Sequence, residues 1–237
     1  MITTILYDLD GTLLPMDNDV FTKAFFKELL KKGASGGFDP AEMEEAMWKG
    51  TGAMVKNDGS RLNEVRFWDY FCDRFSVEKE PTESFFNDFY RGSFDETRKV
   101  CSFNPLVPEL IAHVKGLGYR QVLATNPIFP AIATAKRIGW AGLKPEDFEL
   151  YTTYENSSFC KPNPAYYDEI LQKIGVLGKE CLMVGNDVDE DMIAQVLGMK
   201  VFLITDWVLN RHQKDISVYP HGSFEDLRNF IDALERP

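Results

Sequence analysis

The chain has 237 residues, 44% of them hydrophobic, enough to bury a full core without covalent staples. Twenty-six Lys and Arg stand against 37 Asp and Glu, and the formal charge of -11 argues against a nucleic-acid-binding surface. Four widely spaced cysteines, Cys72, Cys101, Cys160 and Cys181, form no C-x-x-C pair and read as reduced core thiols. No apolar run approaches the roughly 20 residues of a membrane span, and the N-terminus enters a strand pattern directly rather than a leader. A soluble cytoplasmic protein without a membrane partner is expected.

Short apolar runs recur at Ile5 to Tyr7, Gln121 to Ala124, Leu150 to Thr153, Cys181 to Val184 and Val201 to Ile204, with amphipathic stretches between the last four. That alternation predicts an α/β fold, a Rossmann-like parallel sheet with helices on both faces. The first and second strands are too far apart for a single crossover helix, so something is inserted between them. The stretch 16–98 carries aromatic residues at helical spacing, such as Phe67, Trp68, Phe71 and Phe75, and no strand alternation. We expect an all-helical domain there, with 1–15 and 99–237 forming the α/β core. The aromatic residues of the insert read as its packing. Gly33 to Gly37 and Gly50-Thr51-Gly52 read as connections between its helices.

Asn163-Pro164 supplies an N-cap and a first-turn proline for a helix over Ala165 to Ile174, which Gly175 ends. A last helix is expected over Phe224 to Leu234, closing one sheet face.

Four elements carry chemistry. Asp8-Leu9-Asp10-Gly11-Thr12 follows the first strand at its carboxyl end, where open parallel sheets place ligands. In extended geometry Asp8 and Asp10 share a side, and two carboxylates so close require a cation or a shared proton. Thr125-Asn126 ends the second strand and offers a hydroxyl and an amide to a phosphoryl oxygen. Lys161 precedes Pro162, which restricts its backbone, and stands to offset the carboxylates. After Gly185 comes an acidic cluster, Asn186-Asp187-Val188-Asp189-Glu190-Asp191, whose hard oxygen donors suit magnesium. A calcium loop is rejected, because Met192 and Gly198 occupy its Gly and terminal Glu positions.

The order of these motifs resembles the haloacid-dehalogenase-like hydrolases, and an insert placed soon after the first motif is similar to that superfamily's type I cap. The resemblance implies that Asp8 is a nucleophile forming an aspartyl-phosphate and that Asp10 is the acid and base. It gives Thr125, Asn126 and Lys161 to the phosphoryl group, and a magnesium ion to Asp8, the Asp10 carbonyl and an acid of the last motif. The family has Asp directly after this Gly, where Asn186 stands here. Asp187 is therefore expected as the ligand, with Asn186 the alternative and Asp191 an outer or occasional ligand. Lys49 and Gly50, with Lys56 and Arg61, are the expected specificity positions.

These residues point to magnesium-dependent hydrolysis of a small phosphorylated metabolite by a monomer or homodimer. The intact Asp10 disfavours dehalogenation. The alternatives are a phosphomutase, a phosphonate hydrolase that would need an imine-forming lysine, and a non-catalytic phosphate-binding scaffold.

Overall fold

A computed structural model describes all residues, 1–237. Five strands fall where the apolar runs predict them: β1 (Thr4–Tyr7), β2 (Arg120–Leu123), β3 (Leu150–Tyr151), β4 (Cys181–Gly185) and β5 (Lys200–Ile204). A sixth, β6 (His221–Gly222), adds an edge that no apolar run announces. All pair in parallel in the order β3-β2-β1-β4-β5-β6, so β1 lies between β2 and β4 with Tyr7 opposite both Leu123 and Val184. This register brings the ends of β1, β2 and β4 side by side, together with the motifs that follow them.

The strands are buried on both faces because alternate side chains feed two separate cores. Ile5, Tyr7, Leu182 and Val184 face a layer of three helices: α5 (Leu106–Gly116), α6 (Ala131–Trp140) and α8 (Phe224–Asp232). Leu6, Met183 and Val201 face α7 (Pro164–Ile174), which supplies Tyr166, Tyr167 and Ile170. The Asn163 side chain accepts from Ala165 N (3.0 Å), and Gly175 ends the helix at φ 69°.

The insert holds four helices: α1 (Asn18–Ser35), α2 (Pro40–Val55), α3 (Asn63–Phe75) and α4 (Lys79–Arg91). A 3-10 helix, Ser93–Val100, then leads back to the sheet domain. The chain leaves and returns through adjacent backbones, with Met16 bridged to Cys101 and Ser102 N bonded to Pro15 O (2.8 Å). Phe21, Phe25, Phe89 and Phe94 join the apolar layer that also covers one sheet face, so the cap rests on the sheet domain through aromatic packing.

The glycine-rich segments correct one expectation. Gly36 and Gly37 do connect α1 to α2, but Gly50-Thr51-Gly52 lies inside α2. Gly50 is there for proximity, since a Cβ at that position would stand 2.8 Å from the Phe67 ring of α3. Glycine lets the two helices close on each other.

Candidate active site

Asp8 and Asp10 lie just beyond β1, at the sheet edge where β2 and β4 also end. Asp8 N donates to Val184 O (2.8 Å), which carries the strand pairing up to the first motif. Gly11 then adopts φ 84° and lies against the Asn186 amide, where a Cβ would clash at 2.2 Å. Only glycine allows the loops after β1 and β4 to approach this closely.

Lys161 is the centre of the charge arrangement. Its side chain is 1% exposed, and Nζ donates to Asp8 Oδ1 (2.8 Å) and to Asp191 Oδ1 (2.6 Å). Burial opposes the ammonium charge, but Asp191 and Asp8 outweigh it and hold the Lys161 pKa well above its usual value. Burial drives Asp191 the other way, up to about 7, although Lys161 opposes the rise. The other Asp191 oxygen accepts from Asp187 N (2.9 Å).

The Thr12 hydroxyl lies 3.2 Å from Asp8 Oδ2 and 3.1 Å from Asn186 Oδ1, so its single proton serves one of the two at a time. Asn186 Nδ2 donates to Trp207 O (2.6 Å), which fixes the amide with its oxygen toward Thr12. Asp187 is committed elsewhere. Its Oδ1 accepts from the backbone of Asp189 (2.8 Å) and Glu190 (3.0 Å), and its Oδ2 pairs with Arg211 (2.6 Å). Asn186 is therefore tied to Asp8 through a shared hydroxyl and Asp187 is not, although both border the same cavity.

Thr125 and Asn126 follow β2 and border the same cavity. The Thr125 carbonyl accepts from Thr152 Oγ1 (2.6 Å) and Tyr166 OH (2.8 Å), so two buried hydroxyls hold that turn. Asn126 Nδ2 donates to Glu190 (3.3 Å), while its buried Oδ1 has no protein partner.

Arg137 of α6 is absent from the sequence expectations. Its side chain is 0% exposed and pairs with Asp10, with the guanidinium 4.4 Å over the Phe129 ring. Burial raises the Asp10 pKa, with Arg137 pulling against it, and Asp10 Oδ1 has no partner. The signal was available: Ala133, Thr134, Arg137 and Ile138 share the buried face of α6, and an arginine there must have a charged partner.

Above these groups opens a cavity of about 380 Å³, bordered by the sheet-edge residues and by α1, α2 and α4 of the cap. From α2 it is Met47, Trp48 and Thr51 that border it. Lys49 turns outward to pair with Glu45, and Gly50 packs on Phe67, so neither reaches the site. Arg61 pairs with Asp69 at the surface, and Lys56 is exposed.

Five carboxyl groups, Asp8, Asp10, Asp187, Glu190 and Asp191, meet three cations, Lys161, Arg137 and Arg211. Burial raises Glu190 as well as Asp10 and Asp191. A divalent cation fits this excess, and every donor near Asp8 is a hard oxygen. No three acidic, His or Cys side chains converge on one point. A cation here would rest on Asp8 with neutral oxygens, among them the Asp10 carbonyl and Asn186 Oδ1.

The haloacid dehalogenase-like hydrolase family model matches residues 2–195. A phosphoglycolate phosphatase from Colwellia psychrerythraea is 23% identical over 239 residues, covering 98% of this chain and 96% of the relative. Two solved structures share the fold: a HAD phosphatase from Thermococcus onnurineus (TM-score 0.61, 17% identity, 100% of both chains) and the magnesium-bound HAD-hydrolase YfnB from Bacillus subtilis (TM-score 0.57, 17% identity, 98% and 99%). With a family match over most of its length and the same fold in solved structures, the chain belongs to the haloacid dehalogenase-like hydrolases.

Proposed function

We propose that this protein hydrolyses a small phosphate monoester with magnesium, through an aspartyl-phosphate on Asp8. The observation that carries the reading is the setting of Asp8: 7% exposed, held by Lys161, and opening onto a cavity that Asp10 also borders. The Lys161 ammonium donates to Asp8 Oδ1 (2.8 Å) and fixes the carboxylate that attacks.

An Asp8 oxygen attacks phosphorus and the ester P–O bond breaks. The leaving alkoxide takes a proton from the Asp10 carboxyl group, which burial favours in its neutral form. Asp10, now ionised, removes a proton from water, and the water oxygen attacks phosphorus and releases Asp8 and inorganic phosphate. Arg137 holds Asp10 Oδ2, while Oδ1 is buried without a partner. Thr125 and Asn126 border the cavity where the phosphoryl oxygens would lie, and Lys161 offsets their charge. Magnesium, held by Asp8, the Asp10 carbonyl and Asn186, would neutralise charge on the transferring group.

Phosphate release from a panel of monoesters, with magnesium or with chelator, tests the reading. Release that requires magnesium and vanishes in Asp8→Asn is expected; release that persists in Asp8→Asn contradicts it.

A further inference from the structure

Arg211 is the only Lys, Arg or His that borders the cavity. The cap, which forms the cavity's roof, contributes none, and Lys161 and Arg137 lie buried among carboxylates behind its wall. The rest of the charged border is acidic, with Asp19 of the cap joining the carboxyl groups of the sheet edge.

The arginine is fixed in place. It belongs to the loop after β5, which pairs by backbone with the loop after β4: Leu209 N donates to Asn186 O (2.8 Å) and Val188 N to Leu209 O (2.9 Å). Its Nη1 donates to Asp187 Oδ2 (2.6 Å), and the Asp187 side chain is 7% exposed where that of Arg211 is 55% exposed. The buried carboxylate thus anchors one end of a guanidinium that stays open to the cavity. Nε and Nη2, which share another edge of the group, bond no protein atom. Two parallel N–H donors on one edge match the two oxygens of a carboxylate.

This arginine is not engaged with the nucleophile. Asp8 is held by Lys161 and Thr12, and the bonds of Asp187 go to Arg211 and to its own loop. An anionic group elsewhere on the border would meet carboxylates without a cation, which is costly, whereas at Arg211 it meets charged donors. We infer that Arg211 receives a carboxylate carried on the alcohol portion of the substrate and so sets the preference among phosphate monoesters. The inference rests on the phosphatase reading above and adds a second point of recognition. It places the charge that selects the substrate on the core loop after β5 rather than at Lys49, Lys56 or Arg61 of the cap.

Phosphate esters of straight-chain hydroxy acids of increasing length, each matched with its carboxamide, differ pairwise by one charge at nearly constant shape. With magnesium present, kcat/KM of the wild type for the best acid should exceed that for its amide by at least about tenfold. Arg211→Gln keeps a donor for Asp187 and should bring that ratio close to one, chiefly by raising KM for the acid. Arg211→Lys, which keeps the charge and loses the paired donors, should fall between. A merely structural role for Arg211 would lower acid and amide alike and leave their ratio unchanged. That result, or a wild type that prefers no acid over its amide, overturns the inference and leaves the phosphatase reading standing. Failure of the wild type to release phosphate from any ester, acid or amide, overturns both.

Discussion

The sheet edge and the cap roof solve opposite problems. At the sheet edge, charges are paired: Lys161 with Asp8 and Asp191 and Arg137 with Asp10 through buried cations, and the half-exposed Arg211 with Asp187. At the roof, uncharged rings and hydroxyl groups border the same space. Buried ion pairs fix the reacting groups but give little choice between alcohols, whereas the roof can choose between alcohols without touching the reacting atoms. Substitutions in the buried pairs should therefore change rate and stability, and substitutions at Arg211 or in the roof should change preference.

The largest break in this contrast is expected at Asp8. Asp8→Asn removes the proposed nucleophile and should lower kcat by more than about 10³-fold for every ester. Asp10→Asn should follow, with kcat down about 10² to 10⁴-fold and the effect smallest for esters with good leaving groups, because only the poor ones need the proton. Removing magnesium by chelation should cost at least about 100-fold in phosphate release, restored on adding the metal back.

Lys161→Met sharpens the comparison through stability. It leaves Asp8 and Asp191 buried without their cation, and urea denaturation should show a loss of about 3 to 5 kcal/mol. Trp48→Ala, by contrast, should change stability by no more than about 0.5 kcal/mol.

A pH dependence of the metal-free protein is also expected. The folded Asp191 pKa is raised to about 7, above its unfolded value, so between those two values the folded state holds the proton that the unfolded state has lost. This group's contribution to stability must therefore fall as pH rises from about 4 toward 7 and level off above. Comparing urea midpoints across that window, Asp191→Asn should lack this part of the decline.

Much of this was legible in the chain itself, and unevenly. The first five strands and the positions of Asp8, Thr125, Lys161 and Gly185 near element ends follow from apolar runs ended by turn residues, which are local signals. The two-residue strand β6 gives no such signal, because its pairing depends on β5 being in place. Gly50-Thr51-Gly52 reads as a turn by composition, but the reason for Gly50 is the Phe67 ring of the next helix. The orientations of Asn186 and Asp187 depend on Trp207 and Arg211, contributed by the distant loop after β5, and no spacing within the acidic cluster encodes them. Arg137 lies between these cases, since its helix face was readable while its partner Asp10 was not.

The central claim is that Asp8 carries the phosphoryl group. The most direct test is to mix enzyme, magnesium and a turned-over ester, quench with acid within one turnover, and digest for mass spectrometry. The account predicts one added phosphoryl group on the peptide containing Asp8, absent in Asp8→Asn. Phosphate release with no phosphorylated protein at any quench time, or with the group on another residue, would contradict it.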